Sequence, residues 1–237
     1  MPILGRYTME AEMNEKIISS IVDLEDEAIK LLNPEIGFVS LTGSIENFTH
    51  DRAEIRLLDG RKGSISITEF YPNKKFKVGE SYTFLQLQAG EYPVLSVSHP
   101  NLIISIIAGI APEFRSGVVR EFGVVRRVGI RSKVAVGSTV MNLDPVGAFV
   151  GKAANRIKYL IEQLNGERVD IVPYHPELEI FIANSLGVKV NKVTLVDGVA
   201  TVEVPKHQLQ AALGGGGLNV ALAAKLTNSK ITIVAAN

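Results

Sequence analysis

Apolar residues first recur at helical spacing. Ile17, Ile18, Ile21, Leu24, Ala28, Ile29 and Leu31 share one face within residues 10–32, and Asn33-Pro34 stops the run. This predicts one amphipathic helix and sets residues 1–34 apart as an amino-terminal helical segment. From Gly37 the period shortens to two. Alternating runs cover 38–46, 53–58, 63–67, 81–88 and 94–97. The turn signals Asp59-Gly60, Pro72-Asn73, Val78-Gly79 and Ala89-Gly90 lie between them. Five short strands in so small a span predict a closed all-β barrel over 35–99.

A five-stranded barrel points first to the OB-fold, with an SH3-like barrel as the alternative. Beyond Pro100 the pattern turns mixed: a helical run over 102–110, an extended stretch over 118–128, a strand over 133–136 and helices over 147–164. Asn165-Gly166 closes the helical block, 168–172 reads as a strand, and Pro173 begins a new unit. That unit repeats the one before it. When Val150-Gly151 is laid over Leu213-Gly214, Ile157 falls on Val220, Leu160 on Ala223, Asn165 on Asn228 and Ile171 on Val234. Each copy reads strand, helix, glycine-bearing turn, helix, strand, which predicts two tandem α+β domains over 100–174 and 175–237. Tandem copies suit binding, because linked modules multiply affinity and lengthen the footprint. Val136, Ile157, Leu160, Leu164, Ile171, Val204, Leu209, Leu222, Leu226 and Ile233 hold the periodic positions expected to form the cores.

Composition narrows the chemistry. With 46% apolar and 21% charged residues the 237-residue chain has a globular balance. It has no cysteine, which removes disulfides, thiol catalysis and cysteine-ligated metals. Its histidines, His50, His99, His175 and His207, are never at metal-ligand spacing, so no metal is expected. The apolar segment 102–107 is far too short to span a bilayer, and the acidic amino terminus does not resemble a signal peptide. A cytoplasmic protein without membrane contact is expected. Glu46, Asp51 and Asp59 sit in separate strand and turn contexts without a base or metal partner nearby, and neither a nucleophile elbow nor a P-loop is present, so neither catalysis nor a cofactor is expected.

Charge is balanced at 25 basic and 25 acidic residues, yet it is unevenly spread. Residues 115–158 carry Arg115, Arg120, Arg126, Arg127, Arg131, Lys133, Lys152, Arg156 and Lys158 against only Glu121 and Asp144. The turn of the second copy reads Gly214-Gly215-Gly216-Gly217 and runs into a helix predicted over 221–226. Glycine at its first and fourth places lets backbone approach a sugar-phosphate chain closely, as in the GxxG loop of KH domains.

Five ordered motifs carry a resemblance over nearly everything from Gly37 onward: Val124 to Val136 with its Arg126-Arg127-Val128-Gly129-Ile130-Arg131-Ser132-Lys133 run; Asp144-Pro145-Val146-Gly147-Ala148-Phe149-Val150-Gly151; Gly166 to Tyr174; Phe181 to Leu186; and Asn219 to Thr227. In them the chain resembles the NusA family of transcription elongation, termination and antitermination factors. The resemblance implies an OB-fold of the S-one type and two prokaryotic-type KH domains that bind single-stranded nascent RNA beside RNA polymerase, and a monomer is expected. It also implies that the acidic segment stands where the family usually carries an amino-terminal polymerase-binding domain.

The RNA-binding candidates are Arg126, Arg127, Arg131, Lys133, Gly151, Lys152, Arg156, Gly214, Gly215, Gly216, Gly217, Asn219 and Lys225. Phe48, His50, Phe70 and Tyr71 near the barrel's strand ends suit either base stacking or the core. Two departures from the family pattern lower the expected affinity. The first turn reads Gly151-Lys152-Ala153-Ala154, ending in alanine, and the second lacks a basic residue and is followed by Ala221 where the family has arginine. The balanced charge and these turns also suit a protein-interaction scaffold that keeps the fold with weakened RNA binding.

Overall fold

A computed structural model describes residues 38–71 and 74–236; the helix expected within residues 10–32 lies outside them. The described residues divide into two compact units, one of residues 38–69 together with Lys77–Ser105, the other of 70–71, 74–76 and 106–236.

The first unit is a closed barrel of β1 (Ser40–Phe48), β2 (Arg52–Leu57), β3 (Lys62–Ser66), β4 (Ser81–Gln88) and β5 (Val94–Ser96). Its order is β1-β2-β3-β5-β4 with β4 returning to β1; β3 and β5 run parallel and the other pairs antiparallel. This is an OB-like arrangement. Alternation puts Ile45, Ala53, Ile55, Leu57, Ile65, Phe84 and Leu95 inside. Gly43 lies where β1 pairs with both β2 and β4, and a Cβ there would come within 2.7 Å of the Arg56 carbonyl.

Helix α1 (Asn101–Ile110) follows, buried at Leu102, Ile103, Ile104, Ile106 and Ile107, then the short α2 (Pro112–Arg115). The second unit goes on through β6 (Val119–Arg127), β7 (Arg131–Ser138), α3 (Pro145–Val150), α4 (Asn155–Gln163) and β8 (Arg168–Pro173). Asp144 and Pro145 start α3 as their chemistry dictates. The Asp144 carboxylate accepts the Val146 amide at 3.0 Å, and Pro145 occupies a first-turn place that needs no N–H. β6 pairs antiparallel with β7 and β8 pairs parallel with it, giving the order β6-β7-β8.

The second copy uses the same plan: α5 (Leu178–Leu186), β9 (Lys192–Val196), β10 (Val199–Val204), α6 (Leu209–Leu213), α7 (Leu218–Leu226) and β11 (Lys230–Ala235). Its sheet has the order β11-β10-β9, again one parallel and one antiparallel pair. Repetition reaches single residues. Asn165 and Asn228 both end their helices with positive φ, and the amides that follow them return to Ile161 and Ala224, each five residues back. The core of this copy gathers Ile182, Leu186, Ala200, Val202, Val204, Ala212 and Ala223. Leu226 of α7 packs instead with Tyr174 against Ala135, Val172 and Phe181, which joins the two copies. Of the expected core positions, Val136, Leu160, Leu164, Val204 and Leu222 are buried, and Ile157, Ile171, Leu209, Leu226 and Ile233 are half-buried.

Candidate nucleic-acid interface

The two glycine-bearing turns have the same backbone. Gly151 (φ 76, ψ 166) matches Gly214 (φ 73, ψ 168), Ala153 (φ 52, ψ 26) matches Gly216 (φ 61, ψ 21), and Ala154 (φ 60, ψ 27) matches Gly217 (φ 77, ψ 9). Alanine at the fourth place thus leaves the path of the chain unchanged. Two consecutive alanines hold a left-handed conformation that costs about 1–2 kcal/mol per residue for anything but glycine. Strain kept at such a place marks a conformation with a use. The second helix starts straight out of its turn at Leu218, three residues before the start expected at Ala221, because left-handed Gly217 leads directly into it.

One side chain closes over each turn at the same place in the repeat. The Nη1 of Arg156 donates to the carbonyl of Ala148, and the Nδ2 of Asn219 donates to that of Ala211, the equivalent residue, as well as to those of Ala212 and Leu186 at 3.0 Å each. Each side chain lies on the first glycine of its turn. A Cβ on Gly151 would meet Arg156 Cγ at 2.7 Å, and one on Gly214 would meet Asn219 Cβ at 2.7 Å. The first glycine is therefore required by packing as well as by its dihedral angles. Around Gly215, Gly216 and Gly217 a Cβ would meet nothing, so the tip of the second turn is open. Arg156 also pairs with Glu113 at 3.0 Å, and Asn219 is buried; both expected RNA contacts are turned inward.

The basic run divides in the same manner. The Arg126 side chain is 2% exposed and its guanidinium grips the fully buried carboxylate of Glu167 with Nε at 2.9 Å and Nη2 at 2.8 Å. The Gly129 amide at 2.7 Å and the Ser132 hydroxyl donate to the same carboxylate. Arg131 and Lys133, two apart on β7, share one face, and both reach Asp170 of β8 at 2.8 Å. Lys133 is 1% exposed, and burial pulls its ammonium below the usual lysine range despite that carboxylate. Three expected cations are thus committed to internal pairs.

Arg127, Lys152 and Lys225 are exposed and have no side-chain partner among the described residues. Arg127 and Lys225 come together in one groove of about 460 Å³, lined by Arg126, Arg127 and Ile130 of the β6–β7 hairpin, Gly216 of the second turn, and Leu218, Ala221, Leu222 and Lys225 of α7. The structure therefore unites the hairpin of the first copy with the turn of the second, while Gly151 and Lys152 lie outside this groove. Ile130, Leu218, Ala221 and Leu222 are lining residues that sequence reasoning missed. The signal was the i, i+3, i+4, i+7 stripe of α7, read as core at Leu222.

In the barrel, Glu46, Asp51 and Asp59 each face an arginine, Arg56 at 2.7 Å, Arg52 at 3.1 Å and Arg61 at 2.7 Å, and hydrogen bonds from those arginines hold the carboxyls below their usual range. These are surface ion pairs. Phe70 and Tyr71 pack on Phe76, with ring centroids 4.5 and 5.1 Å apart, and the Tyr71 hydroxyl accepts from Asn165 at 3.4 Å. Phe48 is half-buried and His50 exposed. No group of three metal-binding side chains occurs among the described residues.

A five-stranded OB-like barrel followed by two α+β domains, each with a glycine-started turn between paired helices and a mixed three-stranded sheet, defines a protein of the tandem prokaryotic-type KH class. Residues 97–174 match the model of the NusA-like first KH domain and residues 178–237 that of the NusA-like second KH domain. The transcription termination/antitermination protein NusA of Mycobacterium tuberculosis is 34% identical over 181 residues, 73% of this chain and 52% of that protein. The same-named protein of Bacillus subtilis is 32% identical over 177 residues, covering 71% and 48%, and that of Halalkalibacterium halodurans 38% over 148 residues, covering 61% and 38%. The chain belongs to the NusA family, and it spans about half or less of the length of these relatives.

Proposed function

We propose that the chain binds single-stranded RNA across its two KH turns and acts as an RNA-binding transcription factor of the termination and antitermination type, engaging nascent RNA and RNA polymerase and modulating pausing. The observation that carries this reading is the pair of turns with one backbone conformation, kept in the first copy at the expense of two left-handed alanines. Such a turn presents backbone to the sugar-phosphate chain of about four nucleotides. Arg127, Lys152 and Lys225 supply uncompensated positive charge beside it. The names of the relatives support the transcriptional role. It is a role of binding without catalysis, performed in the cytoplasm; among the described residues no helix is long and apolar enough to cross a membrane.

Titration with single-stranded and duplex RNA at several salt concentrations tests the reading. Three or four phosphates met by exposed cations give a slope of log affinity against log salt of about −2 to −3. Single strands are expected to bind better than duplex. Equal affinity for duplex, or binding indifferent to salt, refutes the reading. Absence of RNA binding instead favours a protein-interaction scaffold, a second reading motivated by the internal engagement of Arg126, Lys133 and Arg156.

A further inference from the structure

The two clasps hold equivalent carbonyls, those of Ala148 and Ala211, but they are anchored differently. Asn219 of the second copy also donates to the Leu186 carbonyl at the end of α5, the helix that precedes β9. That anchor is main chain, and neither acid nor salt removes it. Arg156 of the first copy reaches a side chain instead, the Glu113 carboxylate at 3.0 Å, on α2, the helix that precedes β6. The place of Glu113 is itself fixed. Pro112 starts α2, and the ring of buried Phe114 meets that of Phe149 edge-on with centroids 5.2 Å apart. Phe149 belongs to α3, the helix that runs into Gly151. Carboxylate, guanidinium and turn thus share one packed support.

We propose that Glu113 is a positioning residue for RNA binding at the first turn, acting through Arg156, a reading that rests on the RNA-binding function above. The first turn needs such support more than the second. Its backbone conformation is the same, yet two of its residues are left-handed alanines where the second copy has glycines. Strain of that kind brings the competent conformation closer in free energy to an opened one, and affinity scales with the fraction of molecules that are competent. The pair is partly exposed, with 24% of the Arg156 side chain and 33% of that of Glu113 open to solvent. Its contribution is therefore that of a near-surface ion pair, about twofold to fivefold in the opening equilibrium. The sign separates position from charge. Removing a carboxylate strengthens binding of a polyanion by charge alone, whereas a loosened turn weakens it.

The test uses the full 237-residue chain. Glu113→Ala is expected to lower affinity for a mixed-sequence single-stranded RNA about twofold to fivefold, with Glu113→Gln, which keeps an acceptor, falling between it and the parent. The amides of Gly151 and Ala154, bonded to the carbonyls of Gly147 and Gly151 at 2.8 and 3.0 Å, are expected to exchange with deuterium faster by the same factor. The equivalent amides of Gly214 and Gly217 keep the parent rate. Three backgrounds show whether the effect travels through Arg156 and the first turn. With Arg156→Asn, which places the second copy's residue at the clasp, Glu113→Ala costs nothing further. With Lys152→Asp/Ala153→Asp, which repels phosphate from the first turn, it again costs nothing further, whereas with Gly215→Asp/Gly216→Asp it keeps its full effect. A defect of global folding instead lowers affinity in every background. The proposal is overturned if Glu113→Ala binds RNA as well as the parent or better, if its loss survives Arg156→Asn, or if exchange rises at both turns together. Failure of any RNA to bind overturns the RNA-binding function itself, while exchange at Gly151 and Ala154 still decides whether Glu113 holds the turn.

Discussion

Replacing Arg126 with methionine keeps much of the side-chain volume and removes the charge that balances a carboxylate buried out of reach of water. Glu167 then retains only the Gly129 amide and the Ser132 hydroxyl of the groups that donate to it. Breaking a buried pair by removing one partner costs about 3–5 kcal/mol, because the other charge is left uncompensated. For a protein of this size that lowers the melting temperature by roughly 6–20 °C. Glu167→Leu strands the guanidinium in the same way and carries a similar loss. The double variant Arg126→Met/Glu167→Leu removes both charges and leaves only the hydroxyl and the amide without their acceptor, a loss of about 1–3 kcal/mol. The singles therefore sum to roughly 6–10 kcal/mol while the double loses far less, a coupling well beyond the error of such cycles. Urea titrations followed by far-ultraviolet circular dichroism measure all four proteins, since the chain has no tryptophan to report by fluorescence. Additive losses, or an Arg126→Met variant as stable as the parent, would refute the buried-pair argument. Arg127→Ala is the control. It leaves stability within about 0.5 kcal/mol, as surface changes do, while reducing the salt slope of RNA binding by roughly 0.7.

Gly215→Asp/Gly216→Asp places two carboxylates at the open tip of the second turn, where a Cβ meets nothing. RNA affinity is expected to fall more than for Lys152→Asp/Ala153→Asp in the first turn, although the left-handed Gly216 (φ 61) makes the second-turn change cost about 0.5–1 kcal/mol of stability, so affinities are compared at a temperature where both variants are folded; a larger loss from the first-turn change reverses that ranking. Ala154→Gly relieves a left-handed alanine and is expected to stabilise the protein by about 0.5–1 kcal/mol, the released strain outweighing the entropy glycine adds to the unfolded chain. Calorimetry checks this. Lys133 gives a pH dependence. Its folded pKa is lowered chiefly by burial, so between that value and the unfolded one the unfolded chain binds more protons, and stability rises with pH through this window. Lys133→Met, which leaves Asp170 paired with Arg131, should flatten this rise and stay within about 1 kcal/mol of the parent near neutrality.

Local patterning made the five barrel strands and the duplicated plan legible, because alternation and turn residues act over a few positions. The strand expected over 81–88 is β4 itself. The turns were legible through their glycines. A run of basic residues along the chain does not show which of its cations are answered from elsewhere in the fold. Arg126 and Lys133 are answered by Glu167 and Asp170, which lie beyond residue 158 and are brought opposite by the parallel pairing that sets Lys133 against Asp170. Asn219, read as a contact, is a buried clasp because a helix starting at Leu218 turns it inward. The groove was invisible for a similar reason: it exists only where the hairpin of one copy meets the helix of the other.

The clasps formed by Arg156 and Asn219 have a kinetic consequence. A glycine-rich loop left loose in the free protein has to be ordered by its ligand, and that ordering slows or weakens association. Here each turn is pinned to the helix before it, and the first copy narrows its freedom further with alanines. The ordering takes place once, as the domain folds. For the RNA binding proposed above, encounter is then expected at the rate set by diffusion and by the charge of the approaching surfaces, with differences between RNA sequences expected chiefly in how long the strand stays bound.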